Sequence, residues 1–433
     1  MDIQLSGINR FFFSSPNSNI VTGVELNRHL DKAHLAKALE IVSVQHPFLK
    51  MLPVIDAENE GHLVFDPTYS IVIKEYQATS YEAIAQQELP TVLQLNKQAL
   101  IHFVLQHQTD RTALLLMTSH ALGDGIALNT LLEDIVQVLN GAVLSKGLPP
   151  PNLSALAPPV KKSWGKDRFL QLINRRWKKK NMVLTQANID KAYAQYWPKR
   201  KVQLLLEELT VEETRALVQH CKKAPYSVNT LLGTLFLYAQ STLPSNKYLK
   251  NFIIPVNLRP YLVKDIGRSM GSYVSSIRFD LPKHTTASVS DYATQLQKKI
   301  GDWFQSSAMF DVLTMDQIHP NLIDAANLNK YAVRQDWLIQ RLIKHFDLTR
   351  INTQFILTNY GVLPPAKEGN YAIKNYIPVL VSSAMTIEKY ISIYTFAGQM
   401  RIGICYDAHV VATDKMQIYI KRFKTLLLQQ INP

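Results

Sequence analysis

A proline-rich run near residue 150 constrains the fold of this chain more than any other feature. The segment LSKGLPPPNLSALAPPV holds five prolines between residues 149 and 159. Proline fixes φ and lacks a backbone donor, so neither a helix nor a central strand continues through this run. We therefore predict an N-terminal half at 1–145, a linker with a basic segment at 146–190, and a C-terminal half at 191–433. A chain of 433 residues is long enough for two or three domains.

Strand-like and helix-like patterns alternate on both sides of the linker. Apolar runs at 100–107 and 112–119 flank a polar turn and predict a hairpin, and helical spacing follows Asp31 and spans 126–139. In the C-terminal half the same patterns predict helices at 211–221, 228–240 and 413–430. They predict strands at 251–257, 273–280, 353–358, 390–397 and 401–406. This mixture predicts the α/β class with mixed sheets.

Composition excludes several classes of protein. Apolar residues make up 47% and charged residues 19%, which is typical of a globular chain and excludes a disordered one. No apolar run approaches the length of a membrane span, and the N-terminal segment has no long apolar stretch of a secretory signal. The two cysteines, Cys221 and Cys405, exclude a disulfide framework and a cysteine-based zinc site. We expect a cytoplasmic protein with no bound metal.

The net charge of +13 is concentrated in one segment. Residues 161–180 contain nine bases and one acid, and Phe169, Ile173 and Trp177 recur there at helical spacing. Such a helix fits an anionic membrane surface, an acidic carrier protein, or packing of its apolar stripe on the body of the protein. No nucleic-acid motif accompanies the charge, so we expect no nucleic acid partner.

The segment His120-Ala-Leu-Gly-Asp124-Gly125 is the strongest candidate for chemistry. It follows a predicted strand and precedes a predicted helix, so His120 is held at a sheet edge, where a histidine suits general base catalysis. Asp124 can anchor the loop through an arginine, and Gly125 permits backbone conformations closed to other residues. His62 and Asp66 have the same spacing, but they lie in an apolar run before a proline and are interpreted as structural.

A second motif suggests a serine nucleophile, but its surroundings do not fit. Gly267, Ser269 and Gly271 match the G-x-S-x-G pattern of the α/β-hydrolases. That pattern needs a helix directly after the serine, whereas SYVSSIRFDLP alternates like a strand. We interpret the motif as a glycine-rich turn.

Five segments, in order, resemble the superfamily of condensation domains and CoA-dependent acyltransferases. HALGDG is similar to its HxxxDG signature, and the other four are LDKAHLAKALEIVSVQHPFLK, IPVNLRP, IGRSMGSYVSSIRFDLP and LTNYGVL. Ser119 stands where peptide-forming condensation domains carry a second histidine, and the DFGWG motif of the plant enzymes is absent. The similarity is greatest to stand-alone bacterial polyketide-associated acyltransferases and to alcohol acyltransferases.

The resemblance implies two similar lobes, like those of chloramphenicol acetyltransferase, that form a V around a central channel. It implies His120 as the general base, and Asp124, Gly125 and Arg259 as supports of the catalytic loop. Asn257 and Asn359 are then candidates for contacts with substrate or the oxyanion. The donor would be a thioester of CoA or of an acyl-carrier protein, and no further cofactor is implied.

The leading hypothesis is transfer of an acyl group to the hydroxyl group of a small-molecule or lipid alcohol. An amine acceptor, which would give an amide, keeps the same chemistry and stays open. A third hypothesis is a catalytically silent binding or scaffold protein with the same fold, and peripheral contact with a membrane through 161–180 is compatible with each.

Overall fold

The computed structural model describes most of the chain. The described residues are 2–77, 79–144, 153–159, 164–179, 183–240, 251–280, 287–337, 339–340, 353–365, 369–382 and 387–431. Prolines 149–151, Lys161, Lys162 and Lys180 lie outside the described residues, as does the side chain of Lys166.

The strands are β1 (Asp2–Gln4), β2 (Asn19–Leu26), β3 (Met51–Ile55), β4 (Gly61–Phe65), β5 (Ile73–Tyr76), β6 (Ile101–His107), β7 (Thr112–Ser119), β8 (Val202–Glu208), β9 (Asn251–Asn257), β10 (Val274–Asp280), β11 (Thr353–Val362), β12 (Ile373–Val381), β13 (Ile387–Phe396) and β14 (Gln399–Asp407). The helices are α1 (Gly7–Phe13), α2 (Lys32–Gln45), α3 (Tyr81–Glu88), α4 (Gly125–Leu139), α5 (Leu153–Leu156), α6 (Trp164–Lys178), α7 (Gln186–Tyr196), α8 (Val211–Lys223), α9 (Val228–Gln240), α10 (Val289–Phe304), α11 (Pro320–Lys330) and α12 (Thr413–Ile431). Short 3₁₀ helices lie at Pro47–Lys50, Trp197–Lys199, Arg259–Tyr261 and Ser307–Gln317.

The described strands form two large mixed sheets and one small antiparallel sheet. The first large sheet has the order β12-β2-β7-β6-β5, and only β5 and β6 run parallel. The second has the order β10-β9-β11-β13-β14-β8, in which β11 is parallel to both of its neighbours. The small sheet has the order β1-β4-β3. The predicted α/β class with mixed sheets is therefore confirmed.

Each large sheet has its own apolar core. Strand β7, in the middle of the first sheet, is buried along its whole length because helices and neighbouring strands cover both faces. Full burial of each of its three leucines, Leu114–Leu116, stabilises the fold by about 1.5–3 kcal/mol. The second core packs β9, β11, β13 and β14 against α9 and α12. This rigid arrangement fixes the ends of the strands, where the candidate loop lies.

The two sheets meet where β12 crosses β14. A Cβ atom on Gly403 of β14 would lie 2.5 Å from the Cβ atom of Pro378, so only glycine allows this approach of the strands. The Cys405 thiol donates to the Val381 carbonyl oxygen at 3.0 Å across the same contact. Residues 191–433 thus supply strands to both large sheets, while the proposed boundaries at 145 and 190 stay a prediction.

The helices that begin after Asp31 and near residue 126, and the hairpin of β6 and β7, lie where the sequence predicts them. Asp31 caps α2 by accepting from the backbone N of His34 at 2.7 Å. No helix in the described ranges is long and apolar enough to cross a membrane. The same ranges contain no group of three metal-ligating side chains.

Candidate functional site

His120 lies directly after β7, at the edge of the first sheet. Its backbone N donates to the Ser18 carbonyl oxygen at 2.8 Å, and the backbone N of Leu122 donates to the Ser119 carbonyl oxygen at 3.0 Å. Because β7 is a fully buried central strand, the position of His120 is set by the sheet and by these two hydrogen bonds. The main chain therefore holds the histidine rigidly at the start of the loop.

The imidazole ring of His120 is half-buried and stacks on Phe12 of α1, with ring centroids 4.1 Å apart and planes 10° apart. Its Nδ1 atom is enclosed and has no hydrogen-bond partner in the described part of the chain. Burial lowers the pKa of His120 below its usual 6.5, although the carbonyl groups of His120 and Gly123 and the Asp124 carboxylate act in the opposite direction. The ring is therefore neutral at pH 7, which is the form that accepts a proton.

Asp124 is buried and binds four donors. Its carboxylate accepts from both terminal nitrogens of Arg259, at 2.9 Å and 3.1 Å. It also accepts from the backbone N of Ala127 at 3.0 Å, which caps α4, and from the backbone N of Tyr273 at 2.9 Å. Four donors fill the acceptor positions of a carboxylate, so Asp124 has no free position for a substrate. It ties the loop to the segment between β9 and β10.

Arg259 is itself held from three directions. The Asn257 side-chain oxygen accepts from the backbone N of Arg259 at 3.1 Å and from its Nη1 at 3.3 Å. Nη2 also approaches the Gly271 carbonyl oxygen at 3.4 Å, and the guanidinium lies 5.1 Å from the centre of the Tyr273 ring. The side-chain oxygen of Asn257 thus orients Arg259. Of the polar atoms of the Asn257 side chain, only the amide nitrogen is left to contact a substrate.

Gly125 begins α4 at a very close contact with β11. A Cβ atom on Gly125 would lie 2.5 Å from the hydroxyl oxygen of Tyr360 and 2.4 Å from a carbon of its ring. The φ angle of Gly125 does not require glycine, so this contact is the reason for glycine here. Burial raises the pKa of the Tyr360 hydroxyl, which stays protonated.

Asn359 lies at an irregularity in β11, beside Tyr360. Its side-chain oxygen accepts from the backbone N of Gly361 at 2.9 Å, and Gly361 has a φ of 72°. The turn therefore occupies the Asn359 oxygen and leaves its amide nitrogen to donate. Strand β11, which carries Asn359, contacts the start of α4 because Tyr360 packs on Gly125.

A narrow cavity adjoins the loop beyond His120. Ala121, Leu122 and Tyr273 line it together with residues of β1 and α1 and with Asp316. Burial raises the pKa of Asp316 to about 6. Gly7 has a φ of 52°, and a Cβ atom there would lie 1.9 Å from a carboxylate oxygen of Asp316. Only glycine therefore allows the backbone to approach Asp316 this closely.

The G-x-S-x-G motif and the pair of His62 and Asp66 adopt the local structures that the sequence indicates. Ser269 lies in a turn whose neighbour Arg268 reaches Asp134 on α4, and the next element is strand β10. A nucleophile elbow needs a helix directly after the serine, and in the described residues strand β10 comes first. His62 lies on β4 and contacts the Asp2 carboxylate at 3.0 Å.

Sequence reasoning missed three aromatic residues around the loop: Phe12, Tyr273 and Tyr360. Phe12 lies in the run RFFF, which carries no clear period, and its helix α1 was not assigned. Tyr273 and Tyr360 fall within segments that resemble the superfamily, YVSS and TNYG, so their neighbourhood was identified but their roles were not.

Solved structures with a similar fold cover essentially the whole chain. Polyketide synthase associated protein 5 from Mycobacterium tuberculosis matches with a TM-score of 0.64 and 14% identity, over 100% of this chain and 98% of that chain. TRI3 trichothecene 15-O-acetyltransferase from Fusarium sporotrichioides matches with a TM-score of 0.64 and 13% identity, over 99% and 95%. The condensation domain from the Monacolin K polyketide synthase MokA matches with a TM-score of 0.63 and 11% identity, over 100% and 98%.

No protein-family model and no curated protein matches the sequence. The similarity to solved structures therefore concerns the fold. It is the fold of condensation domains and related acyltransferases, which confirms the fold that the sequence motifs imply.

Proposed function

We propose that this chain is an acyltransferase that moves an acyl group from a thioester to an acceptor hydroxyl group and forms an ester, with His120 as the general base. The observation that carries the proposal is the loop after β7. A neutral, half-buried histidine stands there beside an aspartate whose oxygens are all bound to other groups. One protein of similar fold is an O-acetyltransferase, which agrees with acyl transfer to a hydroxyl group.

The reaction that we propose needs one base and no covalent intermediate on the protein. Nδ1 of His120 is enclosed, so we assign Nε2 to the acceptor. Nε2 takes the hydroxyl proton while the oxygen attacks the thioester carbonyl carbon and forms a tetrahedral oxyanion. The carbon–sulfur bond then breaks, the thiolate takes the proton from the imidazolium, and the products are an ester and a free thiol.

Two asparagines are proposed as donors to the substrate. In both, the side-chain oxygen is bound within the protein, at Arg259 for Asn257 and at Gly361 for Asn359. Neither amide nitrogen has a hydrogen-bond partner among the described residues, and we propose Asn359 as a donor to the oxyanion. The donor substrate is an acyl-CoA or an acyl-carrier thioester, and because a thioester is already activated, the reaction needs no further cofactor.

An amine acceptor is the second candidate. Condensation domains are among the proteins of similar fold, and their name describes the joining of two groups. Amide formation would use the same base and the same donor, since His120 would remove a proton from the attacking amine. The two candidates therefore differ only in the acceptor, and the product, an ester or an amide, identifies the acceptor.

The proposal is tested by free-thiol release from a panel of acyl-CoAs, and from the same acyl groups on a carrier protein, with pools of alcohols and amines. We expect release that depends on an acceptor, and mass spectrometry of the product separates an ester from an amide. His120→Ala should lower the rate by about 10²–10⁴-fold, which is the usual contribution of a general base.

His62→Ala is the matched control, because His62, on β4, has the same spacing to an aspartate but contacts the exposed carboxylates of Asp2 and Asp56. It should retain full activity. Acceptor-dependent release that persists in His120→Ala would overturn the role of His120. If no donor gives such release, the proposal that the chain is an acyltransferase would be overturned, and the scaffold hypothesis would be favoured.

A further inference from the structure

Helix α6 has a fixed inner face. Trp177 is 1% exposed and packs with Ala325 and Ile339, and Ile173 packs against the same cluster. The Asn174 side chain donates to the Gln317 carbonyl oxygen at 2.6 Å. Two of the three residues of the predicted stripe thus anchor the helix on the protein, while the third, Phe169, is 38% exposed.

The opposite side of α6 has a different composition. At about 100° per residue, an arc of about 120° starts at Trp164 and ends at Arg176. It also contains Arg168, Leu172 and Arg175, and all five side chains are exposed. We call these five residues, together with the exposed Trp337 beside them, the outer face of α6.

Two arginines of the outer face lie over its tryptophans. The guanidinium of Arg168 is 5.3 Å from the centre of the Trp164 ring, and that of Arg176 is 5.9 Å from Trp337. Both tryptophans are largely exposed, at 76% and 60%. Tryptophan is enriched where an apolar phase meets water, because its ring has an apolar body and a polar N–H group.

The charges of the outer face have no acidic partner on the same arc. Asp167, the acid of α6, lies about 60° beyond the edge of the arc at Trp164. Asp336, next to Trp337, accepts from the backbone N of Ile339 at 3.3 Å. Lys178 and Lys179 are also exposed at the end of the helix and add to the positive potential.

We propose that the outer face of α6 binds the surface of an anionic lipid bilayer. In this arrangement Trp164, Leu172 and Trp337 enter the interface, and Arg168, Arg175 and Arg176 contact the lipid phosphates. An acidic carrier protein would satisfy the charge, but it would leave unexplained the two exposed tryptophans at the same surface. The helix lies parallel to the bilayer because its other face is bound to the protein.

Co-sedimentation with vesicles tests the proposal. The probes are vesicles of phosphatidylcholine alone and vesicles that contain about 30% phosphatidylglycerol, at low and high salt. We expect binding to the anionic vesicles only, and weaker binding at high salt. The triple variant Arg168→Gln/Arg175→Gln/Arg176→Gln should weaken the apparent Kd by about 100-fold, at about 5-fold for each charge.

A matched variant removes the same number of charges elsewhere. Lys222→Gln/Lys223→Gln/Lys299→Gln changes three exposed lysines on α8 and α10 and should bind almost as well as the wild type. An equal loss in both triple variants would overturn the proposal, because binding would then follow net charge alone.

The aromatic contribution has its own test. Trp164→Ser/Trp337→Ser should weaken binding by at least about 10-fold, since these side chains leave water when they enter the interface. Unchanged binding in this variant, or binding of an acidic carrier protein without binding of vesicles, would overturn the proposal. Far-UV circular dichroism checks that each variant is folded, and thiol release, which does not involve this face, should be unchanged in all of them.

Discussion

The loop at 120–125 and the outer face of α6 use charge in opposite ways. In the loop, Asp124 is 3% exposed and every oxygen of its carboxylate has a partner from a distant segment. On the outer face, Arg168, Arg175 and Arg176 are exposed and have no carboxylate on the same arc. A buried charge acts through fixed geometry, whereas an exposed cluster acts through its field. Equivalent substitutions should therefore have very different effects in the two regions.

The largest difference between the two regions is expected in the free energy of unfolding when an arginine is removed from each. Arg259→Ala leaves the buried Asp124 without its partner and should lower the free energy of unfolding by about 3–5 kcal/mol. The variant should also lose acyl transfer, because the loop is no longer held. Arg168→Ala removes an exposed side chain and should change stability by less than about 0.5 kcal/mol. Urea unfolding measures both, and similar losses would contradict the contrast.

A smaller effect is expected from added volume at the start of α4. Gly125→Ala places a methyl group within 2.5 Å of the Tyr360 hydroxyl and should destabilise the fold by about 1–3 kcal/mol. Gly301→Ala is the control, because this glycine of α10 has no neighbouring atom within 4 Å and alanine favours a helix. Thermal unfolding of both variants tests the contact.

A double variant sharpens this test. Tyr360→Ala removes the atoms that the new methyl group would meet. Gly125→Ala should therefore reduce the free energy of unfolding less in that background than in the wild type. Equal costs in the two backgrounds would mean that another neighbour resists the methyl group.

The smallest effect is expected in the pH profile of acyl transfer. Burial lowers the pKa of His120, so the ring stays neutral to a lower pH than a free histidine. Activity should then fall as pH decreases through an apparent pKa below 6.5, because protonation removes the base. The measurement is kcat/KM between about pH 5 and 8.

The outer face contains no histidine and no carboxylate, so vesicle binding should not weaken as pH decreases over the same range. Loss of both properties in parallel would indicate unfolding rather than titration of His120. An acid limb above 6.5 would contradict the effect of burial on this ring.

Local patterns predicted the elements that carry the site. The apolar run of β7 and the helical spacing after residue 125 are both read from neighbouring residues, and both elements lie where they were expected. The contact between Asp124 and Arg259 is of another kind. It was expected only because the segments resemble a known superfamily, since nothing in the local sequence joins two residues 135 positions apart.

Strand β12 shows why part of the fold was not predicted. The run Asn375-Tyr-Ile-Pro-Val-Leu-Val contains Pro378, and a proline argues against a strand. The structure accommodates it because β12 is an edge strand and its register shifts between Ile377 and Leu380. Only the pairing of this segment with β2, more than 300 residues earlier, makes it a strand.

The amino-acid sequence alone determined the mixed α/β class, the position of His120 between a strand and a helix, and the amphipathic character of α6. These features depend on periods of two to four residues, which neighbouring side chains establish. The tertiary structure decided that Phe12 stacks on His120, that Tyr360 meets Gly125, and which side of α6 is buried. Those contacts join segments far apart in the chain, so they exist only once the sheets and helices have packed together.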